Sequence, residues 1–413
     1  MTYTHTEGTY KLLGLAKRIA YIEASPIRKI TAILAEARKR KDIISFGGGA
    51  PSLPPAKEMV EGMRDYLAKD PQSASAYMGT RGIVDLLDLI SQDLKRYGEI
   101  EVDPRRELMV TTGSTEGILL SLLATTNPGD EIIVTDPTYL GYPETIKVVG
   151  AKVVRLPVYV GEGFQPDVER FKKLITKKTK AFMFLSPDNP TGRVIRKDIA
   201  KAIVDLAVDH QFYIYCDDAY KHIIYDGEHT WLSALEGARE NVITMCSFSK
   251  EAAVPGLRVG YMYGPAQIIE ASEKLKQYVT LCPDTLTQLG LIRFLTGDAK
   301  ERYLRWAIPI YKSRRDAMET YIHKYLPKGK MVRPNGAFYI FVDMHEYINP
   351  LKVTDEEFVV DLLRKKEVAI IPGEHFGEKG RRHCRFTFVS EPEDRIEKGV
   401  ARVAEYLREA GVA

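Results

Sequence analysis

The segment Ser247-Phe248-Ser249-Lys250 sets a lysine beside two serines. Its amine could condense with an aldehyde or carry a proton, given a site that keeps it uncharged. Other short segments offer complementary groups. Gly113, Ser114 and Thr115 combine a pliant backbone with hydroxyls where a helix opens. Free amides and the helix dipole favour an anion at such a point. Tyr139, in Pro137-Thr138-Tyr139, offers an aromatic plate. Asn189, in Asp188-Asn189-Pro190-Thr191-Gly192, offers a neutral donor. Asp217, in Asp217-Asp218-Ala219-Tyr220, offers an acid, and strand alternation turns it away from its neighbour Asp218. Arg258, in Pro255-Gly256-Leu257-Arg258, is a charged clamp for an anion.

Nearly all of these groups follow short apolar runs. The runs are Leu108–Thr112, Glu131–Thr135, Lys152–Leu156, Ala181–Leu185, Tyr213–Cys216, Val242–Cys246 and Val259–Tyr263. Helical patterns lie between them at Glu116–Thr126, Pro143–Val149, Asp167–Ile175 and Lys197–His210. Apolar strands alternating with helices predict an α/β fold with a mostly parallel seven-stranded sheet covered on both faces. Such a sheet collects its ligand beyond the carboxyl ends of its strands, where these residues fall. Leu15–Arg40 reads as a helix, with Ser25 as cap and Pro26 in the first turn. Ile268–Val279 is a helix leaving the body. Helices at Tyr303–Tyr325, Asp355–Lys365 and Asp394–Glu409, with strands at Ala337–Val342 and Cys384–Val389, predict a smaller α+β domain. The expected division is an arm over 1–45 joining the small domain, a large cofactor-binding domain over 46–300 and a small domain over 301–413.

A lysine for an aldehyde, an acid for a ring nitrogen and a phosphate cradle are the needs of pyridoxal 5'-phosphate. With that inventory the chain resembles the fold-type I pyridoxal-phosphate aminotransferases of class I/II. The resemblance rests on Ser247-Phe248-Ser249-Lys250 with Arg258, Asn189-Pro190-Thr191-Gly192, Asp217 three before Tyr220, and Arg385 in Cys384-Arg385-Phe386-Thr387-Phe388. These motifs run in the family's order over nearly the whole chain. Each is weak alone, and the ordered set is specific.

The resemblance implies a role for each position. Lys250, Asp217 and Tyr139 would carry the chemistry: the cofactor-linked amine, the partner of the ring nitrogen and the ring's stacking plate. Tyr220 and Asn189 would donate to the phenolic oxygen. Gly113, Ser114, Thr115, Ser247, Ser249 and Arg258 would hold the phosphate. Tyr77 would reach the phosphate of a neighbouring subunit, which implies a homodimer with shared sites. Arg385 would bind the substrate α-carboxylate through paired donors. Gly49 would pack on the substrate with Asn189, and Arg28 in the N-terminal helix would read a distal carboxylate. The Asn189–Pro190 bond would be cis. Nearest in look is the subgroup acting on 2-aminoadipate, kynurenine and aromatic amino acids, with the archaeal aspartate enzymes. Its phosphate arginine usually follows the lysine by seven residues, and here it follows by eight.

Composition narrows the classes. The chain has 413 residues and a formal net charge of +3, which gives no electrostatic case for nucleic acid or a membrane surface. No apolar run approaches the ~20 residues of a membrane span, and Met1–Tyr10 lacks a signal-peptide core. Cys216, Cys246, Cys282 and Cys384 stand apart, without metal-ligand pairing. A reduced cytoplasmic enzyme without a metal is expected. The chain has only five Asn and seven Gln, and its many charges fit a thermophilic source. The expected reaction is amino transfer from an acidic, aromatic or 2-aminoadipate-like L-amino acid to a 2-oxo acid, 2-oxoglutarate first, by ping-pong half-reactions. A lyase or decarboxylase on the same fold shares the cofactor residues, and Arg385 argues against it. A ligand-sensing regulator would carry a winged helix-turn-helix in front, and the roughly 40 residues before the body leave no room for one.

Overall fold

The computed structural model describes residues 14–22 and 42–412. The strands, in chain order, are β1 (Ile44–Ser45), β2 (Leu108–Thr111), β3 (Glu131–Asp136), β4 (Lys152–Pro157), β5 (Thr179–Leu185), β6 (Tyr213–Asp217), β7 (Val242–Ser247), β8 (Gly260–Tyr263), β9 (Tyr339–Asp343), β10 (Val368–Ala369), β11 (Ile371–Pro372) and β12 (His383–Thr387). The main sheet has seven strands in the order β2-β8-β7-β6-β5-β3-β4. Only β8 runs against its neighbours. The other pairings, β3 with β4 and β5, β5 with β6, and β6 with β7, are parallel.

Alternation along the strands explains the two covered faces. On β5, Ala181, Met183 and Leu185 enter one apolar cluster, which also holds Ile118 of the helix Gly113–Thr125. Phe182 and Phe184 enter the other, against Ile203, Val204 and Ala207 of the helix Lys197–His210. Both clusters are closed to water, so the central strands read as continuous apolar runs.

A second sheet, β11-β12-β9, is antiparallel and carries Arg385 on β12 opposite Phe341 of β9. Strand β1 pairs with β10 in parallel, and Phe46 donates its amide to Ala369. The long helix Ala299–Tyr325 packs against the C-terminal helix Glu393–Glu409.

Some expectations change. Lys17–Tyr21 is a short 3-10 helix, tighter than the helix expected over Leu15–Arg40. Ser25, Pro26 and Arg28 lie outside the described residues. The helix expected over Asp167–Ile175 is only Val168–Lys172, with Asp167 as its cap accepting from the Arg170 amide at 2.6 Å. Helices at Lys57–Lys69, Val84–Gly98 and Thr285–Leu295 add to those expected. Asn189–Pro190 is trans; the cis bonds among the described residues are Asp136–Pro137 and Ser186–Pro187. At Pro187 a close approach sets the shape: a Cβ on Gly336 would lie 2.7 Å from its ring. No helix among the described residues is long and apolar enough to cross a membrane.

Phe182 stacks on Phe184 with centroids 5.4 Å apart and meets Phe171 at 4.9 Å. Phe182→Ala removes both contacts and leaves a cavity in a closed face. Urea unfolding should show a loss of about 3–5 kcal/mol.

Candidate active site

A cavity of about 330 Å³ opens at the carboxyl ends of the parallel strands. Its lining includes Gly49, Ser114, Thr115, Tyr139, Asn189, Asp217, Tyr220, Ser247, Ser249, Lys250, Arg258 and Arg385. The sheet order explains the gathering. Strands β5, β6 and β7 are adjacent, so the turns after Leu185, Asp217 and Ser247 share one rim. A larger cavity beside Tyr159 and His383 contains none of these residues.

The amine of Lys250 donates to the Gly49 carbonyl at 2.8 Å. Burial lowers its pKa to about 8, helped by the positive charges of Arg385 and Arg258. Near neutral pH a usable fraction is therefore the free amine. Asp217 ends β6, 4% exposed. Its carboxylate accepts from the Tyr142 hydroxyl at 3.0 Å and the Ala219 amide at 3.2 Å. Burial pushes its pKa up to about 7, and these bonds only partly oppose the rise. Asp218 faces away, beside Cys216 and His229, as alternation requires.

The phosphate end is built from backbone. Gly113 sits at φ +71° where β2 turns into its helix, and a Cβ there would lie 2.6 Å from Arg258 Nη2. Gly260 on β8 backs the same turn, where a Cβ would approach the Ser114 amide at 3.0 Å. Arg258, at φ +50°, donates to Ser249 Oγ at 3.4 Å, and the Ser249 amide donates to Ser247 Oγ at 3.2 Å. The chain between Lys250 and Arg258 turns through Ala253 at φ +53°, and the eight-residue spacing still delivers the guanidinium to the cradle.

At the other end Arg385, 1% exposed, donates to Asn189 Oδ1 at 2.9 Å and to the Gly47 carbonyl at 2.8 Å. Its Nε is buried without a partner. A buried guanidinium on a cavity wall, with no carboxylate paired to it among the described residues, suits an anion. The cavity thus holds three cations, Lys250, Arg258 and Arg385, against one carboxylate. That balance fits a ligand with a phosphate and a substrate with a carboxylate. The donor set fits pyridoxal phosphate at each of its polar groups: a free amine for the aldehyde, an acid for the ring nitrogen, hydroxyls and a guanidinium for the phosphate.

The profile of aminotransferases of class I and II matches residues 41–403. The chain belongs to the class I and II aminotransferase family. It is 32% identical to an aspartate aminotransferase of Pyrococcus abyssi over 96% of its length and 99% of the relative's. It is 28% identical to aromatic-amino-acid aminotransferase 2 of Thermococcus litoralis over 96% and 99%. The solved aspartate aminotransferase of Thermus thermophilus with maleate superposes with a TM-score of 0.88 at 31% identity, over 95% of this chain and 100% of that one. The chain is a pyridoxal-phosphate-dependent amino-acid aminotransferase of fold type I.

Among the described residues, two expected ones do not line this aminotransferase's cavity: Tyr77, 82% exposed, and Gly113, which shapes the turn before Ser114; Arg28 lies outside the described residues. Two others were missed by the sequence reading. Tyr142 holds Asp217, and its signal was its place three residues after Tyr139, which brings the rings edge to face at 5.2 Å. Tyr339 lines the cavity from β9, with no local motif to mark it.

The Lys250 amine must be neutral to bond an aldehyde. The rate of pyridoxal phosphate uptake by the cofactor-free protein should rise about tenfold per unit below pH 8 and level off above it. Stopped-flow absorbance checks this, and a flat profile between pH 6 and 9 contradicts it. Lys250→Ala should bind the cofactor without the visible band of the covalent link.

Proposed function

We propose that this aminotransferase takes the amino group of an acidic, aromatic or 2-aminoadipate-like L-amino acid and passes it to 2-oxoglutarate in two half-reactions at one site. The observation that carries the reading is Arg385, a buried guanidinium that lines the same cavity as Lys250. Names of the relatives agree: aspartate aminotransferase in Pyrococcus abyssi and aromatic-amino-acid aminotransferase in Thermococcus litoralis.

Bound in this cavity, pyridoxal phosphate supplies an electron sink for charge developing at the substrate Cα. The residues do the rest. Arg385 fixes the α-carboxylate and with it the direction of the Cα–H bond. Lys250, once its amine is free, would carry the proton between the substrate Cα and the carbon of the cofactor's aldehyde. Asp217 keeps a proton on the ring nitrogen, and Tyr139 lies against the ring face. Tyr220 and Asn189 donate to the phenolic oxygen. Gly113, Ser114, Thr115, Ser247, Ser249 and Arg258 would anchor the phosphate and so hold the cofactor through both half-reactions. Gly49 leaves room beside the amine for the substrate.

Tyr77 serves the site of a second copy in a homodimer; its exposure, outside the lining of its own cavity, supports this. The same reading divides the chain into an arm over 1–45, a cofactor-binding body over 46–300 and a smaller unit over 301–413, supported by the pairing of β1 with β10. It places the enzyme in the cytoplasm.

A donor screen with 2-oxoglutarate, following glutamate, tests the reaction. Aspartate or an aromatic amino acid should turn over, and no glutamate from any acidic or aromatic donor would overturn the proposal. Asp217→Asn should keep the cofactor and lose most turnover, because a neutral amide no longer holds the ring nitrogen protonated. Arg28→Ala should raise KM for 2-oxoglutarate and aspartate, by about 2–4 kcal/mol if the pair is dry. It should leave an aromatic donor's half-reaction nearly unchanged; equal loss for both would remove Arg28 from the pocket.

A further inference from the structure

Tyr339 is 1% exposed and touches three parts of the site at once. Its hydroxyl lies 2.6 Å from the hydroxyl of Tyr220. Its ring lies under the guanidinium of Arg385, with Cζ 4.4 Å from the ring centroid. Its hydroxyl also fills the space beside Gly49, where a Cβ would stand 2.3 Å away. Strand register produces this position. Tyr339 on β9 faces Thr387 on β12, and Arg385 is two residues along the same face.

We propose that Tyr339 is a positioning residue with two separable jobs: its ring holds Arg385 in line for the substrate carboxylate, and its hydroxyl donates to Tyr220, freeing the Tyr220 proton for the cofactor's phenolic oxygen. The inference rests on the roles given above to Arg385 and Tyr220. The donor direction follows from charge. A guanidinium against the Tyr339 ring polarises its O–H toward donation, while Tyr220 has the phenolic oxygen as its own acceptor. The ring job follows from the guanidinium's partners. Arg385 spends one nitrogen on Asn189 and one on Gly47, and its face rests on Tyr339 and, at 5.1 Å, on Phe376. Without the ring that face has one aromatic support left, and the guanidinium loses its fixed aim.

Two substitutions in the holoenzyme separate the jobs. Tyr339→Phe keeps the ring and removes the hydroxyl. Tyr339→Leu removes both. Two quantities are read: the pH midpoint of the visible band, and the Kd of maleate, a dicarboxylate with neither an amino nor an oxo group. The high-pH form carries more negative charge on the phenolic oxygen, so a weaker Tyr220 donor disfavours it. Tyr339→Phe should therefore raise the midpoint by about half a unit and leave maleate Kd within about twofold. Tyr339→Leu should raise maleate Kd about five- to thirtyfold. An unmoved midpoint in Tyr339→Phe overturns the hydroxyl's job, whether or not the leucine variant folds. Equal weakening of maleate by Phe and Leu overturns the ring's job. Arg385→Ala is the control for the underlying reading: maleate binding as tight as in the unaltered enzyme would overturn the carboxylate assignment itself, a failure distinct from either Tyr339 result.

Discussion

Asp217 is a carboxylate with only 4% of its surface exposed, and that burial governs the electrostatics of the site. Desolvation lifts its pKa to about 7, against two hydrogen bonds that favour the charged form. A buried carboxylate in this position is incomplete without a cation over it. A protonated ring nitrogen would answer that need, and the pairing would hold the nitrogen protonated in return. Its place in the sheet keeps Asp217 buried and aimed. Strand β6 lies in the middle of the sheet between β5 and β7, and Tyr142 closes the far side of the carboxylate.

The two anion sites come from different sheets. Arg258 and the turn at Gly113 follow strands of the seven-stranded sheet, and Arg385 lies on β12 of the three-stranded sheet. The distance between phosphate and carboxylate is thus a property of how the sheets meet. Four hydrogen bonds tie that junction. Asn189 of the large sheet's rim accepts from Arg385, Tyr220 meets Tyr339 of β9, and Gly49 accepts from Lys250 while its neighbour Gly47 accepts from Arg385.

Much of this was readable because local chemistry carried it. The helix Lys197–His210 has its apolar residues at helical spacing and matches its expected bounds. Phe182 and Phe184 alternate with Ala181 and Met183, and the structure sends them to opposite faces. The groups that follow strand ends converge because a parallel sheet leaves them no other place. What escaped depends on packing over long separations. Tyr339 is 119 residues from Tyr220, and the chain after Tyr220 meets the approach to β9 through the bridge of Ile224 with Gly336. The cis bond falls at Pro187, against Gly336, a neighbour that local sequence does not show. The helix Thr285–Leu295 is apolar on most sides, buried at Leu291 and Phe294 and capped by Asp284, so it lacks a clear polar face.

Behind the cavity the same economy of position recurs. Tyr220 and Lys250 line the cavity, and the residues that follow each of them turn away from it. Lys221 and Glu251 meet behind the site at 3.1 Å, both nearly closed to water. Lys300 and His222 stand close by, with Lys300 bonded to both oxygens of Asp93. Burial and the neighbouring Lys300 lower His222 to about 4, so it is neutral near pH 7, while Lys221 and Lys300 hold Glu251 below the usual carboxylate range despite its burial. A buried pair of this kind adds little net stability over apolar residues of the same shape, but breaking it leaves a stranded charge. Its consequence here is geometric. The turn after β6 and the helix after β7 are pinned to each other through Lys221 and Glu251, one residue from the groups that face the cofactor. A shift that separated Tyr220 from Lys250 would have to pull those two charges apart in a dry interior, so their spacing is held by the interaction that costs most to lose.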